Sequence, residues 1–124
     1  LEKIIYVALG GSLGALSRYG ITLLSVKFFS SRFPVGTLIV NLLGCFLIGI
    51  VFTLGAEKDF ISPSFRLFFI TGFLGALTTF STYGIESINL ARSGDLNVSI
   101  ANIAANNLVG FLLVLAGIWI GKNI

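Results

Sequence analysis

The run GFLGALTTFSTY, residues 72–83, concentrates the side chains most able to act on a small solute. It holds two glycines, five hydroxyl-bearing residues (Thr78, Thr79, Ser81, Thr82, Tyr83) and the rings of Phe80 and Tyr83. Short hydroxyl side chains compete with a helical ladder by hydrogen bonding to nearby backbone. In lipid, each backbone group released from a helix must find another partner. A helix broken at membrane depth is therefore tolerated where it lines a protein cavity, the usual place of an ion or substrate site. Phe80 and Tyr83 are three apart and stack on one face if the chain after the break is helical. An aromatic ring has a positive edge and a negative face, so ring edges turned into a narrow pore stabilise a small anion without a full charge. The competing reading of either ring alone is ordinary packing.

Other polar groups fall inside apolar surroundings. Asn41, in TLIVNLLG, carries an amide that can donate to an anion, accept from a cation, or bridge two helices. Ser99, Asn102, Asn106 and Asn107 form a polar stripe, with Asn102 and Asn106 four apart on one helix face. That stripe reads as a wetted track or as a set of interhelical amide bonds. Arg18, in SLGALSRYG, either snorkels to the interface or stands at a vestibule where it raises local anion concentration. Glu86 is the carboxylate nearest the membrane interior, able to cap freed backbone, to pair with Arg18 or Arg92, or to carry a proton or cation. There is no histidine, and Cys45 stands alone in an apolar run as a small buried residue.

The elements that hold these groups follow from composition. Of 124 residues, 56% are hydrophobic and only 10% charged, with a mean hydropathy of +1.02. A soluble domain of this size lacks the interior for that much apolar side chain. The chain is expected to be a single all-α transmembrane domain over residues 1–124, with spans at Ile4–Leu24, Pro34–Gly55, Pro63–Ala91 (broken near 75–79) and Val98–Gly121. Each reaches the roughly 20 residues that cross a hydrocarbon core. The first run is long enough to span and lacks a clear cleavage site, so it is read as a helix and not a signal peptide. Gly10 with Gly14, and Gly117 with Gly121, have the small-xxx-small spacing that allows close helix contact.

Basic residues are nearly balanced across the membrane. Lys3, Lys58, Arg66 and Lys122 lie on one side, Lys27, Arg32 and Arg92 on the other, with Arg18 in the half nearest the second set. The positive-inside rule orients a chain by asymmetry. Its absence here points to insertion both ways and to an antiparallel, dual-topology dimer; the competing reading is a small set of charges balanced by chance. A chain this short does not enclose a pore alone.

These motifs resemble a known family. The run GFLGALTTFSTYGIE resembles the central signature of the Fluc (CrcB-type) fluoride channels, commonly GxxGGxTTFSTF; PVGTLIVNLLGCFLIG and GGSLGALSRY resemble its second-helix and first-helix motifs. The match covers the first three spans well and the fourth more weakly. The resemblance implies a non-enzymatic, multi-pass protein of the prokaryotic plasma or inner membrane. It implies an inverted homodimer that passively exports fluoride and so lowers its cytoplasmic level. It implies a structural Na+ at the dimer centre, held by backbone carbonyls matching Gly75 and Thr78. Position by position, Asn41 resembles the pore-lining amide, and Phe80 and Tyr83 the two aromatics of the fluoride-binding box. Thr79, Ser81 and Thr82 match hydroxyls near the path, Asn102 and Asn106 the fourth-helix track, with Asn107 the alternative if the register shifts by one.

Two departures stand out. Ala76 replaces the second glycine of the usual pair; alanine fits most break geometries, but not comfortably a positive φ. Tyr83 replaces phenylalanine, which narrows the path, adds a donor, or marks one half of a heterodimer with a paralogue. A second function class shares the size and span count, the small multidrug-type proton-coupled exporters. They need a carboxylate deep in the membrane; the first span has none after Glu2 and carries Arg18 instead. A third reading is an accessory membrane subunit.

Overall fold

A computed structural model describes residues 1–124, all helix and short connections with no strand. Helix α1 runs Glu2–Phe28 and α2 Val35–Glu57. The third span, Pro63–Arg92, is two helices: α3 over residues 63–77 and α4 over Phe80–Arg92. Helix α5 is Leu96–Asn123. The helices run past the apolar windows read from sequence, because backbone bonding continues into the polar ends where water is available. The 27 residues of α1 extend about 40 Å at 1.5 Å per residue, more than a hydrocarbon core of about 30 Å.

Boundaries have local causes. Ser62 caps α3 by accepting from the Phe65 N–H at 3.2 Å, with Pro63 in the first turn where no N–H is needed. Helix α4 ends in a glycine cap: Gly94 has φ +90°, the Asp95 N–H donates to the Leu90 carbonyl at 2.9 Å, and the Gly94 N–H to Ala91 at 3.3 Å. An Arg32–Asp95 ion pair of 2.7 Å ties the two loops at that end.

Two glycine seams set the helix spacing. Gly10 and Gly14 of α1 are buried against the Phe68 and Phe73 carbonyls of α3, where a Cβ would collide with backbone. Gly49 of α2 and Gly117 of α5 meet in the same way, the first against Val114 and the second against Phe46. Lipid tails are as apolar as side chains, so helix association in a bilayer rests on such close backbone contact. The apolar core is correspondingly small: Val40, Leu74 and Leu77, edged by Ile21, Leu47, Ile48, Phe69 and Phe73. Large apolar side chains such as Leu16, Phe111 and Trp119 face outward over the membrane-spanning surface.

The break is narrower than the sequence suggests. Gly75, Ala76 and Leu77 stay helical, and only Thr78 (φ −82°, ψ 155°) and Thr79 (φ −149°, ψ 120°) are extended. Ala76 carries no positive φ, so its replacement of glycine brings no backbone strain. Gly44 of α2 gives the break its room, since a Cβ there would meet the Thr78 methyl.

Candidate functional site

The break releases backbone groups that Asn41 takes up. A continuous helix would send the Thr79 N–H to the Gly75 carbonyl; it donates instead to Asn41 Oδ1 at 2.8 Å. Asn41 Nδ2 returns a bond to the Thr79 carbonyl at 3.1 Å. One side-chain amide thus pairs with both backbone groups of the same residue, as a neighbouring strand would. One turn later the Thr82 N–H, due to reach the Thr78 carbonyl, is captured by Thr79 Oγ1 at 3.2 Å, which caps α4. The Gly75 and Thr78 carbonyls therefore lose their helical donors together.

A relay of side chains extends from Asn41 across α2, α5 and α4. Asn41 Nδ2 donates to Asn106 Oδ1 at 2.9 Å. Asn106 Nδ2 donates to the Asn102 carbonyl at 2.9 Å and to Asn102 Oδ1 at 3.0 Å. Asn102 Nδ2 donates to Ser87 Oγ at 2.9 Å, Ser87 Oγ to the Tyr83 carbonyl at 2.8 Å, and Ser99 Oγ to the Ser87 carbonyl at 2.7 Å. Every link satisfies a polar group that would be costly in hydrocarbon. Ser87 and Thr37 had no distinguishing sequence signal, because their partners lie far along the chain.

In front of this relay is an open cavity of about 370 Å³. Asn41, Thr79, Phe80, Tyr83, Asn106 and Asn107 contribute its polar and aromatic lining. Phe80 and Tyr83 share a face as expected, but meet edge to face, with centroids 5.5 Å apart and planes at 65°, not in a parallel stack. Tyr83 is only 9% exposed, whereas Phe80 is 82% exposed and projects from the chain. Asn102 is fully buried behind Asn106 and does not line the cavity; it holds Asn106 in place.

Residues 105–109 form a wider, π-helical turn. Closing a turn with i→i+5 bonds reduces the rotation per residue, so Asn106 and Asn107 both reach the cavity. Asn107 Nδ2 donates to Tyr83 Oη at 2.9 Å and to the Ile103 carbonyl at 2.8 Å. Of the two asparagines between which the sequence left the register open, both line the cavity.

A second hollow, of about 290 Å³, is lined by Arg18, Thr37, Thr79, Thr82 and Glu86 among others. Thr79 lines both hollows, and its Oγ1 donates to Thr82 Oγ1 at 3.1 Å, with Ser81 Oγ 3.4 Å away. Arg18 and Glu86 face one space without forming an ion pair. Glu86 Oε1 accepts from Thr37 Oγ1 at 2.7 Å, while Oε2 is buried and unpartnered. Hydroxyls thus connect an aromatic and amide cavity to a hollow bearing one guanidinium and one carboxylate. No cluster of three or more His, Cys, Asp or Glu side chains stands ready to hold a metal.

Residues 5–118 match the family model described as CrcB-like protein, Camphor Resistance (CrcB). The chain is 44% identical over 122 residues to a protein of Dehalococcoides mccartyi named fluoride-specific ion channel FluC, covering 98% of this chain and 94% of that one. Proteins of the same name from Maridesulfovibrio salexigens and Salinibacter ruber are 40% identical over 124 residues and 47% over 115. They cover 100% and 93% of this chain, and 98% and 86% of their own lengths.

Proposed function

The chain belongs to the Fluc (CrcB-type) family of fluoride channels, not a family of enzymes, and we propose on that premise that it is a passive, fluoride-selective exporter in a prokaryotic plasma or inner membrane. The observation that carries the reading is the break at Thr78–Thr79, bridged by Asn41 and fronted by Phe80 and Tyr83. Helix α4 begins there, and the first N–H groups of any helix lack helical acceptors and favour an anion. Ring edges and these donors suit a small, hard, strongly hydrogen-bonding anion. Fluoride enters cells as the neutral weak acid and ionises inside; a passive channel lets the anion leave down its gradient.

The functional unit in this proposal is a dimer of two copies in opposite orientations. Two features support it: the near balance of basic residues across the membrane, and the projection of Phe80, a ring of the cavity, out of the single chain. A paralogue in place of the second copy is the alternative composition. Gly75 and Thr78 fit a structural Na+ by the chemistry of their donors, since the carbonyls that the break frees are hard oxygen ligands. When bound, the ion would supply fixed positive charge that steadies the break. The chain's own part is to present those oxygens and hold them in place through Asn41 and Thr79.

Fluoride conduction is tested by release of fluoride, against chloride, from liposomes holding the purified protein; well-folded protein that retains fluoride would sink the reading. Orientation is tested by tagging the termini and probing access from each membrane face. Tags reachable from both faces support inversion, and tags confined to one face oppose it.

A further inference from the structure

The side-chain donors around the cavity are almost all engaged. Asn41 has both amide hydrogens on Thr79 and Asn106 oxygens, and Asn106 has both on Asn102. Asn107 has one on the Ile103 carbonyl and one on Tyr83 Oη. Thr78 Oγ1 donates to the Leu74 carbonyl and Thr79 Oγ1 to Thr82. An engaged amide hydrogen reaches an anion only by breaking a bond whose acceptor is then left bare in an apolar setting. The side-chain amides therefore build the wall of this cavity without an open donor to offer.

Tyr83 differs. Its oxygen accepts from Asn107, and its own O–H donates to no group of the chain. A phenolic hydroxyl has one donor, and with its oxygen held by Asn107 the proton is directed away from that bond. The ring is 9% exposed, lines the cavity and meets Phe80 edge to face. We infer that the Tyr83 hydroxyl is a direct hydrogen-bond donor to fluoride in this chain, with Asn107 as the positioning residue that orients it. The inference rests on the fluoride-channel reading and deepens it. It turns the departure from the usual phenylalanine into a specificity-determining group, because fluoride accepts a stronger hydrogen bond than a larger halide does.

The test uses the full chain in lipid vesicles. Tyrosine labelled with carbon-13 at Cζ gives three signals, one for each tyrosine, and Tyr83→Phe identifies the signal of Tyr83 by removing it. Sodium fluoride is expected to move the Tyr83 signal in the wild-type protein, and sodium chloride to leave it in place. Tyr83→Phe keeps the ring and the path. It is expected to raise the half-saturating fluoride concentration about tenfold or more, the usual effect of losing a hydrogen bond to a charged group, and to reduce discrimination against chloride. A wild-type Tyr83 signal indifferent to fluoride overturns the inference, as does wild-type fluoride affinity in Tyr83→Phe. Faster flux at unchanged affinity, the mark of a hydroxyl that merely narrows the path, overturns it as well. Failure of the wild-type protein to pass fluoride would strike the channel reading itself, whereas a conducting protein with an indifferent Tyr83 strikes only this inference.

Discussion

The glycine seams and the polar seam hold helices together by opposite means. Between α1 and α3, and between α2 and α5, backbones touch because Gly10, Gly14, Gly49 and Gly117 present no side chain. Around the break, α2, α4 and α5 are kept apart by Asn41, Ser87, Asn102 and Asn106, which fill the gap with directed hydrogen bonds. The first arrangement is closely packed and presents no polar side chain. The second leaves room for a cavity and pins its lining residue by residue. The proposed pathway lies where contact is made through polar side chains, and the glycine seams set the spacing of the helices beside it.

Substitutions separate the two roles. The largest effect is expected from Gly117→Val, which drives a side chain into the Phe46 carbonyl. Overpacking of this kind costs about 3 kcal/mol, read as loss of the monodisperse peak in detergent together with all flux. Asn41→Asp comes next. It replaces two donated bonds, to Thr79 and Asn106, with an acceptor facing acceptors. Flux should fall to background and thermal stability should drop by about 2 kcal/mol; normal conduction would show that the bridge across the break is dispensable. Phe80→Ile should also abolish flux, but with unchanged stability, because the ring is 82% exposed and supports little of the chain's own packing. Unchanged flux would remove Phe80 from the pathway. The smallest effect belongs to Gly84→Ala, where an added Cβ meets nothing within 4 Å. Flux should match wild type, and helix propensity should add up to about 1 kcal/mol of stability. A damaging Gly84→Ala would mean that this face is packed in the functional assembly, and the contrast between seams would have to be redrawn.

The helical class, the span count and the break were legible because hydropathy and a cluster of hydroxyls report directly on backbone preference. Asn102 and Asn106 were legible as a pair from i,i+4 spacing, and they do bond to each other. Asn107 was harder to place because a π-helical turn changes the rotation per residue, and nothing in ANNLV announces that turn. The division of labour between Asn106 at the cavity and Asn102 behind it depends on depth, which spacing does not encode. The same holds for the bond between Thr37 and Glu86, and for the hollow that Glu86 shares with Arg18. Asn41 drew notice as an isolated amide in an apolar helix, but its double pairing with Thr79 is a tertiary event. The extent of the break was less legible: hydroxyl and glycine content spreads over 75–79, whereas the helix persists through Ala76 to Leu77 and only Thr78 and Thr79 are extended.

The central claim is that the cavity at the break belongs to a pathway for fluoride. Its most direct test is ion release from liposomes loaded with potassium fluoride or potassium chloride, at a fixed density of folded protein, with the potential clamped by a potassium ionophore. Rapid release of fluoride with chloride retained is the predicted result. Retention of fluoride, or release of both halides at similar rates, would contradict it.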